Sequence, residues 1–141
     1  MIQIEPDPWR VMLAHARASY PGECCGAMLG RVTDASKLVT DALPLENVFP
    51  GPRRERYQLR SEDLLEAERE ARRRGLKLIG IYHSHPDREA YFSPVDLQNS
   101  CPWYYFLVLS IRGGEFDHAR CWRPDDGQTR AEEEELIGPE G

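Results

Sequence analysis

Two histidines, a serine and an aspartate lie close together in the middle of this chain, and their types are those that bind and assist a metal ion. They occur in the segments His83-Ser84-His85-Pro86 and Ser93-Pro94-Val95-Asp96. Alternate side chains of a strand point to the same side, so His83 and His85 are expected to project together toward one ion. The apolar run 79–82 before them is typical of a buried strand that would hold both imidazoles in place.

The second segment has the pattern of a helix start. Ser93 is the expected cap, Pro94 suits the first helical position, and Asp96 would then face back toward the end of the strand. Two imidazoles and one carboxylate leave the fourth position of a zinc ion open, as in catalytic rather than structural sites. Each of the two segments by itself has an ordinary explanation without a metal, since hydrogen-bonded histidine pairs and capping boxes are common. Their combination at this spacing favours a metal site.

Together with Glu23 upstream, these segments resemble the signature of the JAMM (MPN-plus) metalloproteases. In that family a glutamate in a first strand precedes His-x-His-Pro, six residues, Ser, two residues and Asp, and this chain matches every position. The resemblance extends from about residue 21 to about residue 122. It implies an α/β (α+β) fold, the MPN or cytidine-deaminase-like domain, in which helices flank a mixed central β-sheet.

The resemblance also implies a role for each site residue. His83, His85 and Asp96 would bind one Zn²⁺ per chain, which lowers the pKa of a bound water to about 7. Glu23 would be the general base that accepts a proton from this water and passes it to the departing amine. The Ser93 hydroxyl would donate a hydrogen bond to the developing oxyanion.

Among JAMM proteins, this chain looks most like the compact prokaryotic members. The resemblance then implies a peptidase or isopeptidase that cuts after the C-terminal Gly-Gly of a ubiquitin-like or sulfur-carrier protein, releasing an attached amino acid or protein. Two alternatives stay open at this stage: a zinc hydrolase of a small amide or peptide, and a non-catalytic MPN scaffold. The sequence also leaves open which carrier is bound, which residue is released, and the oligomeric state, a homodimer included.

The length of 141 residues suits one domain, predicted over 1–122, followed by an acidic tail over 123–141 that is expected to be disordered. Most of the formal net charge of −6 lies in this tail, which has two arginines among seven acidic residues. The remainder is nearly neutral, which argues against nucleic acid as a partner. The sequence has no apolar run long enough to span a membrane and no signal-peptide pattern over 1–8, so a cytoplasmic protein without membrane contact is expected.

Three further features carry weaker signals. The cysteines at 24, 25, 101 and 121 include no Cys-x-x-Cys pair and are expected to be small buried residues, with the redox state of Cys24 and Cys25 left open. The arginines of the loop 53–56 are either solvated or available to an acidic partner or substrate. His15 is expected to be solvated, and His118 to lie on the polar face of a strand.

The remaining pattern predicts the elements that must position the site. Helical periodicity after Asp7, the expected cap, predicts a first helix over 7–19, and Ser61 is expected to cap a second helix over 62–74. A short helix is predicted over 94–100. Strands are predicted over 24–30, 37–45, 57–59, 76–82, 103–110 and 116–122.

Overall fold

One mixed sheet of eight strands, with three helices beside it, accounts for most of residues 1–139, the part of the chain that the structure, a computed structural model, describes. In chain order the elements are β1 (Ile2–Ile4), α1 (Pro6–Ser19), β2 (Cys25–Val32), β3 (Lys37–Leu45), α2 (Ser61–Arg73), β4 (Lys77–Pro86), α3 (Pro94–Gln98), β5 (Tyr105–Arg112), β6 (Glu115–Pro124), β7 (Ala131–Glu134) and β8 (Leu136–Ile137).

Strand β4, which ends with the two histidines and Pro86, lies in the interior of the sheet. The strand order is β7-β6-β5-β4-β2-β3-β1-β8. β4 pairs antiparallel with β2 and parallel with β5, while β1 pairs parallel with both β3 and β8. The predicted α/β (α+β) fold, a mixed sheet flanked by helices, is therefore confirmed.

Helix α1 packs on one face of the sheet. Its residues Trp9, Met12 and Ala16 recur with helical spacing and are buried, because they contact apolar side chains of the strands. The strand residues of this cluster include Ile2, Ile4, Val39, Leu107, Leu109 and Ile111.

Helix α2 covers part of the other face. Its buried residues Ala67 and Ala71 pack on Ala27 and Leu29 of β2. The adjacent cysteines at the start of this strand point to opposite faces of the sheet. Cys24, just before β2, belongs to the cluster under α1, whereas Cys25 belongs to a second cluster with Ile81 and Phe106. All four cysteines are free; three are buried and Cys101 is half-buried, as expected.

Two glycines of β2 permit close contacts that any side chain would block. A Cβ at Gly26 would lie 2.3 Å from the ring of Tyr82, and one at Gly30 would lie 1.8 Å from the carbonyl oxygen of Leu38. Gly30 also lies where the pairing of β2 with β3 shifts register. These glycines let β2 pair tightly with its neighbours, so the strand that follows Glu23 is held in a defined position.

The prediction of a disordered tail is wrong for residues 131–137. β7 pairs with β6, β8 pairs with β1, and the Ile2 N–H donates to the Glu135 carbonyl at 2.9 Å. One short segment therefore joins both edges of the sheet. Its polar composition does not indicate this role, because the segment supplies backbone hydrogen bonds to β6 and β1, which would otherwise be edge strands, rather than apolar side chains to the core. Glu140 and Gly141, also part of the predicted tail, lie outside the described residues.

Three local predictions are also wrong. Residues 57–59 form no strand; Tyr57 is buried against the site, and Gln58 accepts a backbone hydrogen bond from Val48. Ser61 is the first residue of α2 rather than its cap. His15 is not solvated, because its Nδ1 lies 2.7 Å from the hydroxyl of Tyr82 in a half-buried contact.

Helix α1 begins at Pro6, one residue earlier than predicted, so Asp7 lies in its first turn and Glu5 takes the cap position. Within residues 1–139, the structure shows no helix that is both long and apolar enough to cross a membrane.

Removing residues 131–141 is expected to lower the melting temperature by roughly 5 °C or more, because β1 and β6 both lose a paired strand. Thermal unfolding followed by circular dichroism measures the change. Removing only residues 139–141 is the matched control, since it leaves both β7 and β8, and a shift within about 1 °C is expected. Equal melting temperatures for the two truncations would contradict the structural role of this segment.

Candidate metal and active site

The structure brings the three predicted metal ligands together at the end of β4. Nε2 of His83 and Nε2 of His85 are 3.3 Å apart, and Oδ2 of Asp96 lies 3.2 Å from the first and 3.0 Å from the second. Both histidines are fully buried, and Asp96 is 5% exposed. Three buried donor atoms thus form a nearly equilateral triangle.

The spacing of this triangle fits a metal ion. Zinc–nitrogen and zinc–oxygen bonds of about 2.0–2.2 Å at tetrahedral angles place neighbouring ligand atoms about 3.3 Å apart. The donor set, two imidazole nitrogens and a carboxylate oxygen, is one that zinc uses in catalytic sites. The three residues therefore fit one bound zinc ion.

Neighbouring groups orient both imidazoles. Nδ1 of His85 lies 2.8 Å from the carbonyl oxygen of Glu89, and a carbonyl can only accept, so Nδ1 carries the hydrogen and Nε2 is free to bind metal. Burial lowers the pKa of His85, which favours the neutral form that a ligand requires. His83 stacks on the ring of Tyr57, with 4.6 Å between ring centroids, and its Nδ1 has no hydrogen-bond partner among residues 1–139.

A capping box at the start of α3 holds Asp96. The Asp96 N–H donates to Ser93 Oγ at 3.0 Å, and the Ser93 N–H donates to Asp96 Oδ2 at 3.1 Å. Burial by itself would raise the pKa of the Asp96 carboxyl, but the adjacent His83 and His85 outweigh it and hold this pKa well below the ordinary value. Asp96 is therefore ionised and fixed, with the oxygen that the cap orients directed at the histidines.

Glu23 lies beside this triangle because of strand pairing. Cys25 is opposite His83, and the Ser84 N–H donates to the Cys24 carbonyl, so the same antiparallel register brings Glu23 to the level of His85. The backbone of Glu23 is also anchored on the loop before α2, where its N–H donates to the Arg53 carbonyl at 2.6 Å.

The Glu23 side chain is almost fully buried, and only one of its two carboxylate oxygens accepts a hydrogen bond from the described residues. Nη2 of Arg88 donates to its Oε2 at 2.5 Å, while its Oε1 has no hydrogen-bond partner among the described residues. Burial raises the pKa of Glu23 to about 7; the charge of Asp96 adds to the rise, whereas His83 and Arg88 oppose it. A carboxyl group with a pKa near neutrality can both accept and return a proton, which is what a general base in amide hydrolysis must do.

Comparison with known proteins agrees with this geometry. Residues 6–125 match the family model described as prokaryotic homologs of the JAB domain. This chain belongs to the prokaryotic JAB family. The predicted resemblance to the JAMM (MPN-plus) proteins is therefore confirmed.

Relatives of this JAB protein include enzymes. A desampylase from Haloferax volcanii is 33% identical over 120 residues, covering 82% of this chain and 83% of that protein. A CysO-cysteine peptidase from Mycobacterium tuberculosis is 28% identical over 138 residues, covering 97% of this chain and 92% of that protein. A JAB1/MPN domain protein from Archaeoglobus fulgidus, at 18% identity, has the same fold, with a TM-score of 0.63 and 98% of each chain covered.

Two cavities lie beside the JAB site. The first, about 230 Å³, is mostly apolar and is lined by Tyr57, whose ring stacks on His83, and by Ile81 and Phe106. The second, about 520 Å³, is lined by Ser93, by Tyr91, whose ring contacts that of His85, and by charged residues that include Arg88. Each cavity is thus lined by a tyrosine that contacts one of the two histidines, Tyr57 in the first and Tyr91 in the second.

Sequence reasoning missed two residues that contact the site. The sequence predicts Tyr57 in a strand, and no periodicity shows that its ring stacks on His83. Arg88 lies within the six-residue spacer between Pro86 and Ser93. A charged residue in so short a spacer is the sequence feature that could have indicated a contact with the site. Of the arginines of the loop 53–56, Arg54 lines the second cavity, where it pairs with Asp87 at 3.2 Å.

The wild-type protein is expected to bind one zinc ion per chain, and His85→Ala to weaken that binding by more than roughly 100-fold, because a directly bound nitrogen is lost. Isothermal titration of chelator-stripped protein with zinc measures both. His15→Gln is the matched control, since this histidine contacts Tyr82 rather than the triangle and its loss should leave the affinity unchanged. Equal affinities for wild type and His85→Ala would show that these histidines do not form the metal site.

Proposed function

We propose that this protein is a zinc-dependent peptidase or isopeptidase that hydrolyses the bond after the C-terminal glycines of a small ubiquitin-like or sulfur-carrier protein. The observation that carries the proposal is the arrangement of three buried donor atoms, 3.0–3.3 Å apart, beside a buried carboxylate with one unpaired oxygen. Such an arrangement is costly to bury unless a ligand completes it.

His83, His85 and Asp96 are the proposed zinc ligands. Bound there, zinc supplies Lewis acidity and makes water a nucleophile at neutral pH. The protein residues supply the rest of the chemistry. Glu23 accepts a proton from the attacking water at the unpaired Oε1 and delivers it to the nitrogen of the departing amine, since Oε2 is already held by Arg88.

Ser93 is the proposed oxyanion donor. Its Oγ accepts the Asp96 N–H through a lone pair, so its hydroxyl hydrogen is still available to donate. Its side chain lines the second cavity, where a substrate carbonyl can reach it. Capping α3 and stabilising the oxyanion are therefore compatible roles for the same hydroxyl.

The burial of the histidines supports a substrate that ends in glycines. Both imidazoles are 0% exposed, and Tyr57 and Tyr91 contact them from either side. A chain without side chains next to the scissile bond can approach such a site most closely. The names of the relatives, a desampylase and a CysO-cysteine peptidase, support small protein conjugates as the substrate class.

The two alternative functions are less well supported. A non-catalytic scaffold does not need an ionisable carboxylate buried beside three metal-type donors. A hydrolase of small amides needs only one enclosed pocket, whereas this site has two open cavities near it, one lined by Tyr57 and one by Tyr91 and Ser93. Incubating zinc-loaded enzyme with a sulfur-carrier protein extended beyond its Gly-Gly terminus, and reading the product by intact mass, tests the proposal. Loss of the residues after the glycines is expected; an unchanged mass would refute it.

Glu23→Gln is expected to lower the rate of this cleavage by at least about 100-fold while leaving the zinc content unchanged, because an amide of the same shape cannot accept the proton. Turnover by intact mass and zinc by elemental analysis are measured on the same sample. Glu115→Gln, which changes an exposed carboxylate in the same way, should retain full activity. A Glu23→Gln variant as fast as wild type would exclude Glu23 as the base.

Ser93→Ala is expected to lower kcat by roughly 100-fold, the cost of losing one oxyanion donor, with a smaller effect on zinc affinity. Ser93→Thr keeps a hydroxyl that can both cap and donate, so it should recover part of the rate. Melting temperatures of both variants separate a lost cap from lost catalysis. If zinc content and kcat fell in parallel for Ser93→Ala, the hydroxyl would serve the helix and not the reaction.

A further inference from the structure

Arg88 lines the second cavity, and part of its guanidinium group has no hydrogen-bond partner among the described residues. Its Nη2 donates to Glu23 Oε2 at 2.5 Å and to the Arg54 carbonyl at 3.4 Å. Its Nε and Nη1 have no hydrogen-bond partner among residues 1–139, and the side chain is 31% exposed in the second cavity. A guanidinium group has five N–H donors in a rigid fork, so binding the base leaves most of them free for a ligand.

The loop that carries Arg88 is anchored on both sides. The Ser110 hydroxyl donates to the Arg88 carbonyl at 2.5 Å. Two residues further, the Ala90 N–H donates to His118 Nε2 at 3.0 Å, and the Trp122 indole N–H donates to the Ala90 carbonyl at 2.9 Å. The backbone of this loop is therefore held by β5 and β6, and the guanidinium group by its contact with Glu23.

The acidic groups of the same cavity are not placed to occupy Arg88. Oδ1 of Asp87 accepts the Gly113 N–H at 2.8 Å, and its Oδ2 accepts the Tyr20 hydroxyl at 2.6 Å and Arg54 at 3.2 Å. Both oxygens of Asp87 are thus satisfied elsewhere. Glu55 lies on an exposed segment, where solvent screens its charge. A substrate anion is the group that can pair with the open edge of Arg88.

We infer that Arg88 binds the α-carboxylate of a single amino acid attached after the terminal glycines, so that this enzyme releases C-terminal residues in preference to cleaving lysine isopeptides. The inference rests on the proposed function and specifies its substrate. In the reaction, the amide C–N bond breaks, the oxygen of water bonds to the glycyl carbon, and Glu23 transfers the proton of water to the departing nitrogen.

The contact between Glu23 and Arg88 suits a leaving group whose amide nitrogen and carboxylate lie close together, as in an amino acid. In a free C-terminal residue, one carbon atom separates the amide nitrogen that departs from the carboxylate. Glu23 must reach that nitrogen, and Arg88 is in hydrogen-bond contact with Glu23. One residue can therefore place its nitrogen beside the base and its carboxylate on the guanidinium group at once. The Nε of an isopeptide-linked lysine has no carboxylate at this distance.

Three matched substrates test the inference. Each is the same sulfur-carrier protein ending in Gly-Gly, extended by alanine with a free carboxylate, by alanine carboxamide, or through an isopeptide bond to a lysine blocked at both ends. The zinc-loaded wild-type enzyme is expected to cleave the free-carboxylate substrate with a kcat/KM about tenfold or more above that of the other two. Intact mass measures all three rates.

Variants of Arg88 separate substrate binding from structural support. Arg88→Ala should reduce the preference for the free carboxylate over the carboxamide to within about twofold, whatever its effect on overall rate. Arg88→Lys keeps the charge without the planar fork and should retain part of the preference. Arg56→Ala is the control, because Arg56 packs over the ring of Phe49 and does not line the cavity; its preference should match that of wild type.

The possible results are distinguishable. Equal wild-type rates on the free carboxylate and the carboxamide, or an undiminished preference in Arg88→Ala, would overturn the assignment of Arg88 while leaving the proposed function intact. Cleavage of none of the three substrates would contradict the proposed function and, with it, this inference.

Discussion

The convergence of two imidazole nitrogens and one carboxylate oxygen at the end of β4 is the constraint on which the rest of this structure depends. Three polar atoms, 3.0–3.3 Å apart and removed from solvent, carry a desolvation cost that one shared cation would offset. Their positions must also be exact to a few tenths of an ångström for one ion to bind all three. The surrounding strands and helices hold the three atoms in these positions.

The interior position of β4 supplies the necessary rigidity. Hydrogen bonds to β2 on one side and β5 on the other fix the backbone that carries His83 and His85. The third ligand comes from a different kind of element, the first turn of α3, where the capping box fixes Asp96. Both faces of the sheet are then covered, by α1 on one side and by α2 with the loop containing Tyr57 on the other. The fold places the site between rigid elements and leaves open cavities beside it.

The pairing of Glu23 with Arg88 joins the proposed general base to the proposed substrate contact. A buried carboxylate with a pKa of about 7 is suited to proton transfer, and burial is the main cause of that shift. Arg88 prevents the carboxylate from being wholly unsatisfied, yet occupies only one of its oxygens. The same guanidinium group lines the second cavity, which is the space proposed for the leaving residue. One side chain thus contacts both the proposed base and the space for the leaving residue.

The sequence by itself determined the features that follow local rules. The two-residue period of a strand placed His83 and His85 together, and the Ser-x-x-Asp spacing predicted the capping box around Ser93, because both patterns involve neighbours along the chain. The strand 37–45 was predicted with its observed bounds for the same reason. The family signature added Glu23, whose position a local pattern could not supply.

Only the tertiary structure decided which distant residues surround the site. Arg88 meets Glu23 across 65 positions of sequence, and Tyr57 stacks on His83 although the residues 57–59 form no strand. Likewise, the acidic segment 131–137 joins both edges of the sheet through backbone hydrogen bonds that composition does not reveal. These contacts depend on long-range pairing and on the need to satisfy buried or edge groups, and no periodicity along the chain encodes them.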